Sequence, residues 1–402
     1  MKFNWKSLVL AAMITGFASG YCGQASITCR ESGTSFAKEA VMPLIESGEI
    51  PGIINIFSKG NVQETTCIGW ADVDKKIPMS MDRMFMQCSQ TKGFCGVTIA
   101  ILIEEGKISL DDPVSKYLPE FKELKVRVKG KKQPVPAKNV LTVRMVMNHT
   151  GGFPFDIPTK LKKGLNRVSM RETAKEAASL PLWFEPGTKT RYSNTGIDIG
   201  AAIVEVVTGQ PWDVFLKERV LDKLGMKDST FNPTDEQLSR AISLYNIKEG
   251  EKAEFRLFHP YFPLPHNGSQ IHPFAGGGLW TTATDQLKFY RMLMNLGVGD
   301  NGVRILKEET VKSLLATSTR PEKLGKYSLG LQADFKNGTM GHGGAFGTSA
   351  TVNWKTKTLI LKVVQVRGKH KALNAGLKKA ADKFFPKKFD TSGTDAYTGR
   401  VK

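Results

Sequence analysis

Cysteine is scarce in this sequence, with five among 402 residues, too few for a disulfide framework and leaving at least one thiol unpaired. Cys88 and Cys95 stand seven residues apart on one expected helix, roughly 10 Å along its axis and beyond disulfide reach. They read as small buried fillers, while Cys22 and Cys29 are close enough in sequence to bridge if both persist. Histidine is also sparse, at six, and no His-Glu-x-x-His is present. His259, His266 and His272 fall in a Pro-rich loop and read as loop decoration rather than metal ligands. Gly-x-Ser-x-Gly is missing, and so is a phosphate-binding glycine loop. No metal or cofactor is expected.

Acidic residues are outnumbered, 38 against 57 basic ones, for a formal charge of +19. The excess gathers in Lys122 to Lys138, Lys160 to Arg171 and Lys362 to Lys402. These clusters read first as solvated helix faces and tails, and second as weak attraction for an anionic envelope polymer. Nucleic acid is excluded as a partner: the basic runs carry no interleaved aromatics and there is no zinc-finger spacing. Long apolar runs are absent too. The one candidate, Ser7 to Phe17, is too short to span a bilayer. It follows Lys2 and Lys6 and precedes the small residues Ala18-Ser19-Gly20, so residues 1–20 read as a removed signal peptide and the protein as exported, periplasmic or secreted. Tyr21 is too bulky for lipoprotein processing at Cys22. No membrane span is expected in the mature chain.

What is present is enough apolar residue, 41%, for a large core. Residues 35–47 predict a helix, with Ser35 as its N-cap. Ile53 to Ser58 and Glu64 to Trp70 predict a hairpin turning at Gly60-Asn61. From Ser89 to Glu105 the pattern is apolar nearly all round, the mark of a buried central helix. Helices over Ile197 to Thr208, Trp212 to Leu224 and Thr284 to Leu296 punctuate a loop-rich middle. Strand character returns at Tyr327 to Phe335, Gly347 to Trp354 and Thr358 to Val366, and a helix over Ala372 to Phe385 closes the domain. One sheet built from both chain ends follows, contributed by about 30–85 and 320–385, with a mainly helical region, about 86–315, inserted between. Residues 386–402 form a polar tail.

Three short motifs carry chemistry. Ser89-Gln90-Thr91-Lys92 puts a serine at the start of the buried helix and a lysine on the same face one turn on. The helix start offers unpaired N–H groups where an oxyanion develops, and a desolvated lysine can help remove the serine proton. Two Ser-x-x-Lys matches occur, about the number chance supplies; the other, Ser35 to Lys38, is accounted for by the N-cap. Tyr192-Ser193-Asn194 supplies a phenol that an ammonium can hold as phenolate, and an amide for lysine or substrate. His342-Gly343-Gly344-Ala345, between two expected strands, reads as a close approach for ligand backbone or as a tight turn.

In that order and at those separations, the three motifs resemble the serine β-lactamase and penicillin-binding peptidase superfamily, most closely its class C branch of esterases, D-Ala carboxypeptidases and D-aminopeptidases. Flanking blocks agree: ILIEEGKISLDDPVSKYLPEF, LTVRMVMNHTGGFP, FEPGTKTRYSNTGIDIGAAIVEVVTG and GGGLWTTATD. The resemblance covers about residues 35–385. It implies an α/β (α+β) fold of β-lactamase type, with an antiparallel sheet from both chain ends flanked by helices. It also implies a serine hydrolase acting on a small-molecule or peptide substrate through an acyl-enzyme. Carried over, Ser89 is the nucleophile, Lys92 its activating partner and Tyr192 the base that later protonates the leaving group. Asn194 holds Lys92 and substrate, and the N–H groups of Ser89 and Ala345, after Gly344, form the oxyanion hole. His149 falls in a structural block. One departure stands out: β-lactamases carry Lys-Thr-Gly where this chain has His342-Gly343-Gly344. A histidine mostly neutral at pH 7 favours an ester or D-peptide over a β-lactam. A non-catalytic binder fits poorly with Ser89, Lys92 and Tyr192 all intact, and Cys88 has no activating neighbour in sequence.

Overall fold

The computed structural model describes residues 28–29, 35–246, 272–368 and 371–385. The expected signal peptide, the 386–402 tail, Cys22, His259 and His266 all lie outside them.

The hairpin and the C-terminal strands join in one sheet. Its strands are β1 (Thr28–Cys29), β2 (Gly52–Lys59), β3 (Val62–Asp72), β4 (Gln332–Asp334), β5 (Thr339–Gly343), β6 (Ser349–Asn353) and β7 (Thr358–Val363). Their order is β1-β3-β2-β7-β6-β5-β4, with the short strand Ile77–Pro78 paired to β3. All neighbours on this path are antiparallel except β1, which runs parallel to β3. The central join is β2 against β7, with Ile56 opposite Leu361. Alternation sorts their side chains to two faces. Ile54, Ile56, Leu359 and Leu361 enter the main core, while Ile53, Phe57 and Ile360 enter a second one. Both faces are therefore covered, and every β7 residue is buried.

The second core is roofed by α1 (Phe36–Glu46) and the C-terminal helix Lys371–Phe384. Ser35 caps α1 as expected, accepting from the Lys38 N–H at 3.2 Å. On the other face lies α2 (Thr91–Glu104), buried from Thr91 to Leu102. Phe94 stacks on Phe289 with ring centroids 3.6 Å apart, and the Trp212 indole donates to Thr98 Oγ1 at 3.1 Å. Gly96 is required there, because a Cβ would collide with the Leu329 carbonyl. The inserted region adds α3 (Val143–Met147), α4 (Pro158–Lys163), α5 (Met170–Ser179), α6 (Asn194–Thr208), α7 (Trp212–Leu216) and α8 (Ala283–Met294).

Several expectations need correction. Only Gln332–Asp334 of the expected strand Tyr327 to Phe335 is extended in the sheet. The segment before it crosses α2 instead, where Gly330 at φ 71° lies against the Lys92 carbonyl. His342 and Gly343 are not in a turn between strands but belong to β5 itself. The helix expected from Trp212 to Leu224 ends its α-helical part at Leu216 and continues as a wider π turn, Lys217–Leu221. Two basic residues read as solvated are buried: Lys160 pairs with Asp198, and Lys362 lies in β7, donating to Asn374 Oδ1 at 2.8 Å.

Candidate functional site

Three distant segments meet at the start of α2. Cys88–Gln90 forms a tight 3-10 turn leading into the helix. Cys88 sits at φ 52°, a left-handed conformation that costs a non-glycine residue about 1–3 kcal/mol. The Thr91 hydroxyl closes this turn by donating to the Cys88 carbonyl at 2.7 Å. Ser89 is half-buried on the turn, and Lys92, one helical turn on, is fully buried.

Lys92 Nζ donates to Ser89 Oγ at 3.1 Å, to Asn194 Oδ1 at 2.7 Å and to the Gly276 carbonyl. Three acceptors meet the three protons of an ammonium, so the side chain is held from three directions. The Tyr192 ring lies 4.7 Å from Nζ. Both motif residues are placed by the start of α6. Ser193 is its N-cap, accepting from the Gly196 N–H at 3.1 Å while its hydroxyl donates to the Pro154 carbonyl at 2.6 Å. Tyr192 thus precedes the cap, partly exposed, and Asn194 opens the helix, buried.

From the sheet, β5 brings His342. Its Nδ1 lies 2.6 Å from the Gly343 carbonyl, which can only accept, so Nδ1 carries the proton and Nε2 is an acceptor. The buried Tyr327 hydroxyl donates to Nε2 at 3.0 Å, and the Tyr192 hydroxyl stands at 3.5 Å. Burial, with the Lys92 charge second, lowers the His342 pKa from 6.5 to about 3, so the ring is neutral. His149 packs as expected, its ring centroid 4.5 Å from those of both Tyr192 and Tyr327. Burial holds its pKa well below the usual range, with the Arg320 charge second.

Past His342, Gly344 lies against the turn that carries Ser89. A Cβ there would fall 2.5 Å from the Gln87 carbonyl oxygen and 3.2 Å from Cys88 Cβ. Burial pushes the Cys88 thiol up to about 12, outweighing the lowering effect of the nearby Ala345 and Phe346 N–H groups. That thiol is protonated at neutral pH and is no rival to Ser89 as a nucleophile. All seven residues singled out from sequence, Ser89, Lys92, Tyr192, Asn194, His342, Gly344 and Ala345, therefore line one place.

Five others were not foreseen there. Asp156 accepts from Asn194 Nδ2 through both carboxylate oxygens at 3.2 Å. Burial pushes its pKa up from 3.8 to about 6, the Asp198 charge adding to the rise. Asp198 pairs with Lys160 at 2.6 Å and accepts from the Gly276 N–H at 3.2 Å. Gly276 thus joins Asp198 to Lys92, through its N–H to the one and its carbonyl to the other. Tyr327 is the fifth. Asp198 was within reach of sequence reasoning, being four residues after Asn194 and so on its helix face. Asp156, an acid inside the apolar stretch Phe153 to Ile157, was a second signal. Nothing local pairs Lys160 with Asp198. Among the described residues no cluster of three or more His, Cys, Asp or Glu could hold a metal ion.

This arrangement can activate a serine hydroxyl beside a buried ammonium and accept charge at a helix start, the requirements of acyl transfer. The comparisons with known proteins agree. The family model described as Beta-lactamase matches residues 37–382. Protein Rv1367c of Mycobacterium tuberculosis is 29% identical over 300 residues, 72% of this chain and 73% of that protein. Among solved structures, EstCE1, a hydrolase with promiscuous acyltransferase activity, superposes with a TM-score of 0.70 at 21% identity, over 86% of this chain and 97% of its own. Unliganded simvastatin synthase (LovD) from Aspergillus terreus gives 0.70 at 18% identity, over 87% and 98%. At these identities the structural likeness is one of fold alone. With the family model spanning nearly all of the folded domain, the chain belongs to the β-lactamase family.

Proposed function

We propose that the protein is an ester hydrolase or acyltransferase that works through an acyl-enzyme on Ser89. The observation that carries this reading is the Lys92 ammonium held at 3.1 Å from Ser89 Oγ by Asn194 and the Gly276 carbonyl. Ser89 Oγ attacks the substrate carbonyl carbon, and its proton passes to the Lys92–Tyr192 pair. The tetrahedral oxyanion is met by the N–H groups of Ser89 and Ala345. Collapse breaks the bond to the leaving alkoxide, which takes the proton from Tyr192. Water or an acceptor alcohol then repeats the sequence in reverse and frees the acyl group.

His342 favours neutral esters. A neutral imidazole whose Nε2 already accepts from Tyr327 offers no positive charge to a substrate carboxylate. A charge-assisted hydrogen bond at that place contributes about 1.5–3 kcal/mol, roughly 10- to 150-fold in binding. A D-Ala-type peptidase is the next reading and a β-lactamase the one after. A panel of short neutral esters, a D-Ala-D-Ala peptide and a β-lactam separates the three. The expected order of kcat/KM is ester, then peptide, then β-lactam; a β-lactam turned over faster than every ester contradicts the reading. His342→Lys should narrow the gap for carboxylate-bearing substrates by up to that factor.

A further inference from the structure

Asp156 is a buried carboxylate that the acyl-transfer steps above leave unused. It touches neither Ser89 nor Lys92 but holds the far end of Asn194, both of its oxygens 3.2 Å from Nδ2. A side-chain amide has one accepting and one donating end. An ammonium only donates and an ionised carboxylate only accepts, so with Lys92 at one end and Asp156 at the other a single orientation of Asn194 satisfies both. We propose that Asp156 is a positioning residue whose ionised carboxylate locks Asn194 with Oδ1 toward Lys92, and through it keeps Lys92 against Ser89. The inference rests on the Ser89–Lys92 reading above.

Charge balance reinforces the geometry. Facing Asp156 are Asn194 and Asp198 on α6, Lys160 on α4 and Lys92 on α2, the last three being its charged neighbours. Two cations and two carboxylates cancel only while Asp156 is ionised. Once protonated, Asp156 can donate as well as accept, so it no longer excludes the reversed amide and Asn194 is held less firmly against Lys92. An unbalanced positive charge is also left in a water-poor site, where it is costly. Burial and Asp198 put this protonation at about pH 6, within the range in which an enzyme is assayed.

The test is the rate of Ser89 labelling by a neutral fluorophosphonate, measured across pH for the full-length wild type and Asp156→Asn, which keeps the shape and removes the charge. In the wild type the rate should fall on acidification with a midpoint near 6. The variant should be slower at pH 7.5 by roughly 10- to 100-fold, the span of a charge-assisted hydrogen bond, and lack that acid limb, so that the two profiles converge at low pH. A variant that labels at the wild-type rate with the wild-type profile overturns the proposal. If the variant does not fold, a wild-type profile without an acid limb between about pH 5 and 7 overturns it equally, and one with that limb supports it. If Ser89 takes no label in the wild type at any pH, the Ser89 reading itself fails and the Asp156 inference falls with it.

Discussion

Replacing His342 with glutamine removes an imidazole that the fold keeps neutral and leaves an acceptor for the Tyr327 hydroxyl. The wild-type ring is forced from 6.5 down to about 3 by burial and by the Lys92 charge. In the unfolded chain the same ring takes a proton near its ordinary value. Between those two values the unfolded state therefore binds more protons than the folded one, and stability falls as the pH falls. The contribution is fully present above pH 6.5 and is lost progressively down to about pH 3. At about 1.4 kcal/mol per pH unit, acidification to pH 4.5 costs roughly 3 kcal/mol through this residue alone. His149, held low by burial as well, acts in the same direction, and Asp156, pushed up, in the opposite one. Both remain in the variant and cancel to first order in the difference between the two proteins. Urea unfolding of each at pH 7.5 and 4.5 gives the two free energies by linear extrapolation. The variant should gain roughly 3 kcal/mol on the wild type between those pH values. A difference that stays within about 0.5 kcal/mol, the level of an indifferent surface substitution, refutes the reasoning and with it the neutral acceptor role of His342.

Lys92 and Tyr192 share one cluster, Nζ lying 4.7 Å from the ring centroid. Lys92→Ala and Tyr192→Phe should therefore each lower kcat by orders of magnitude, and the double variant by little more than either; additive losses would show independent roles. Gly344→Ala drives a Cβ to 2.5 Å from the Gln87 carbonyl oxygen and closer still to Thr348 Oγ1. It should displace the Ala345 N–H and cost at least about tenfold in kcat, and up to the roughly 100- to 1000-fold of a lost oxyanion donor, with KM for a neutral ester changed little; an unchanged kcat excludes that amide from the mechanism.

The central helix was legible because its apolar pattern runs all round, which only burial at the domain centre satisfies. The hairpin was legible from its turn residues, and the helix cap at Ser35 from its place before an amphipathic run. The site was legible only as far as order along the chain reaches: Ser89 and Lys92 share a helix face, and Tyr192 and Asn194 stand in one three-residue motif. The apolar, β-rich neighbours of Tyr327 predict a strand there. That apolar character instead serves a segment crossing α2 at Gly96 and Gly330, where close backbone approach replaces sheet pairing. The run shared with Lys162 and Lys163, both exposed, predicts a solvated Lys160. Its partner Asp198 lies 38 residues away, and no local pattern encodes a buried ion pair across that span. His342 looked like a turn because glycines follow it, whereas Gly341 and Gly343 both pair across to β6.

The Ser89 assignment rests on the identity of the acylated atom. Incubation with a fluorophosphonate, proteolysis and mass spectrometry should place one adduct on the peptide containing Ser89, and Ser89→Ala should lose both the adduct and ester turnover. An adduct on Ser35 or Cys88 instead, or full turnover in Ser89→Ala, contradicts it.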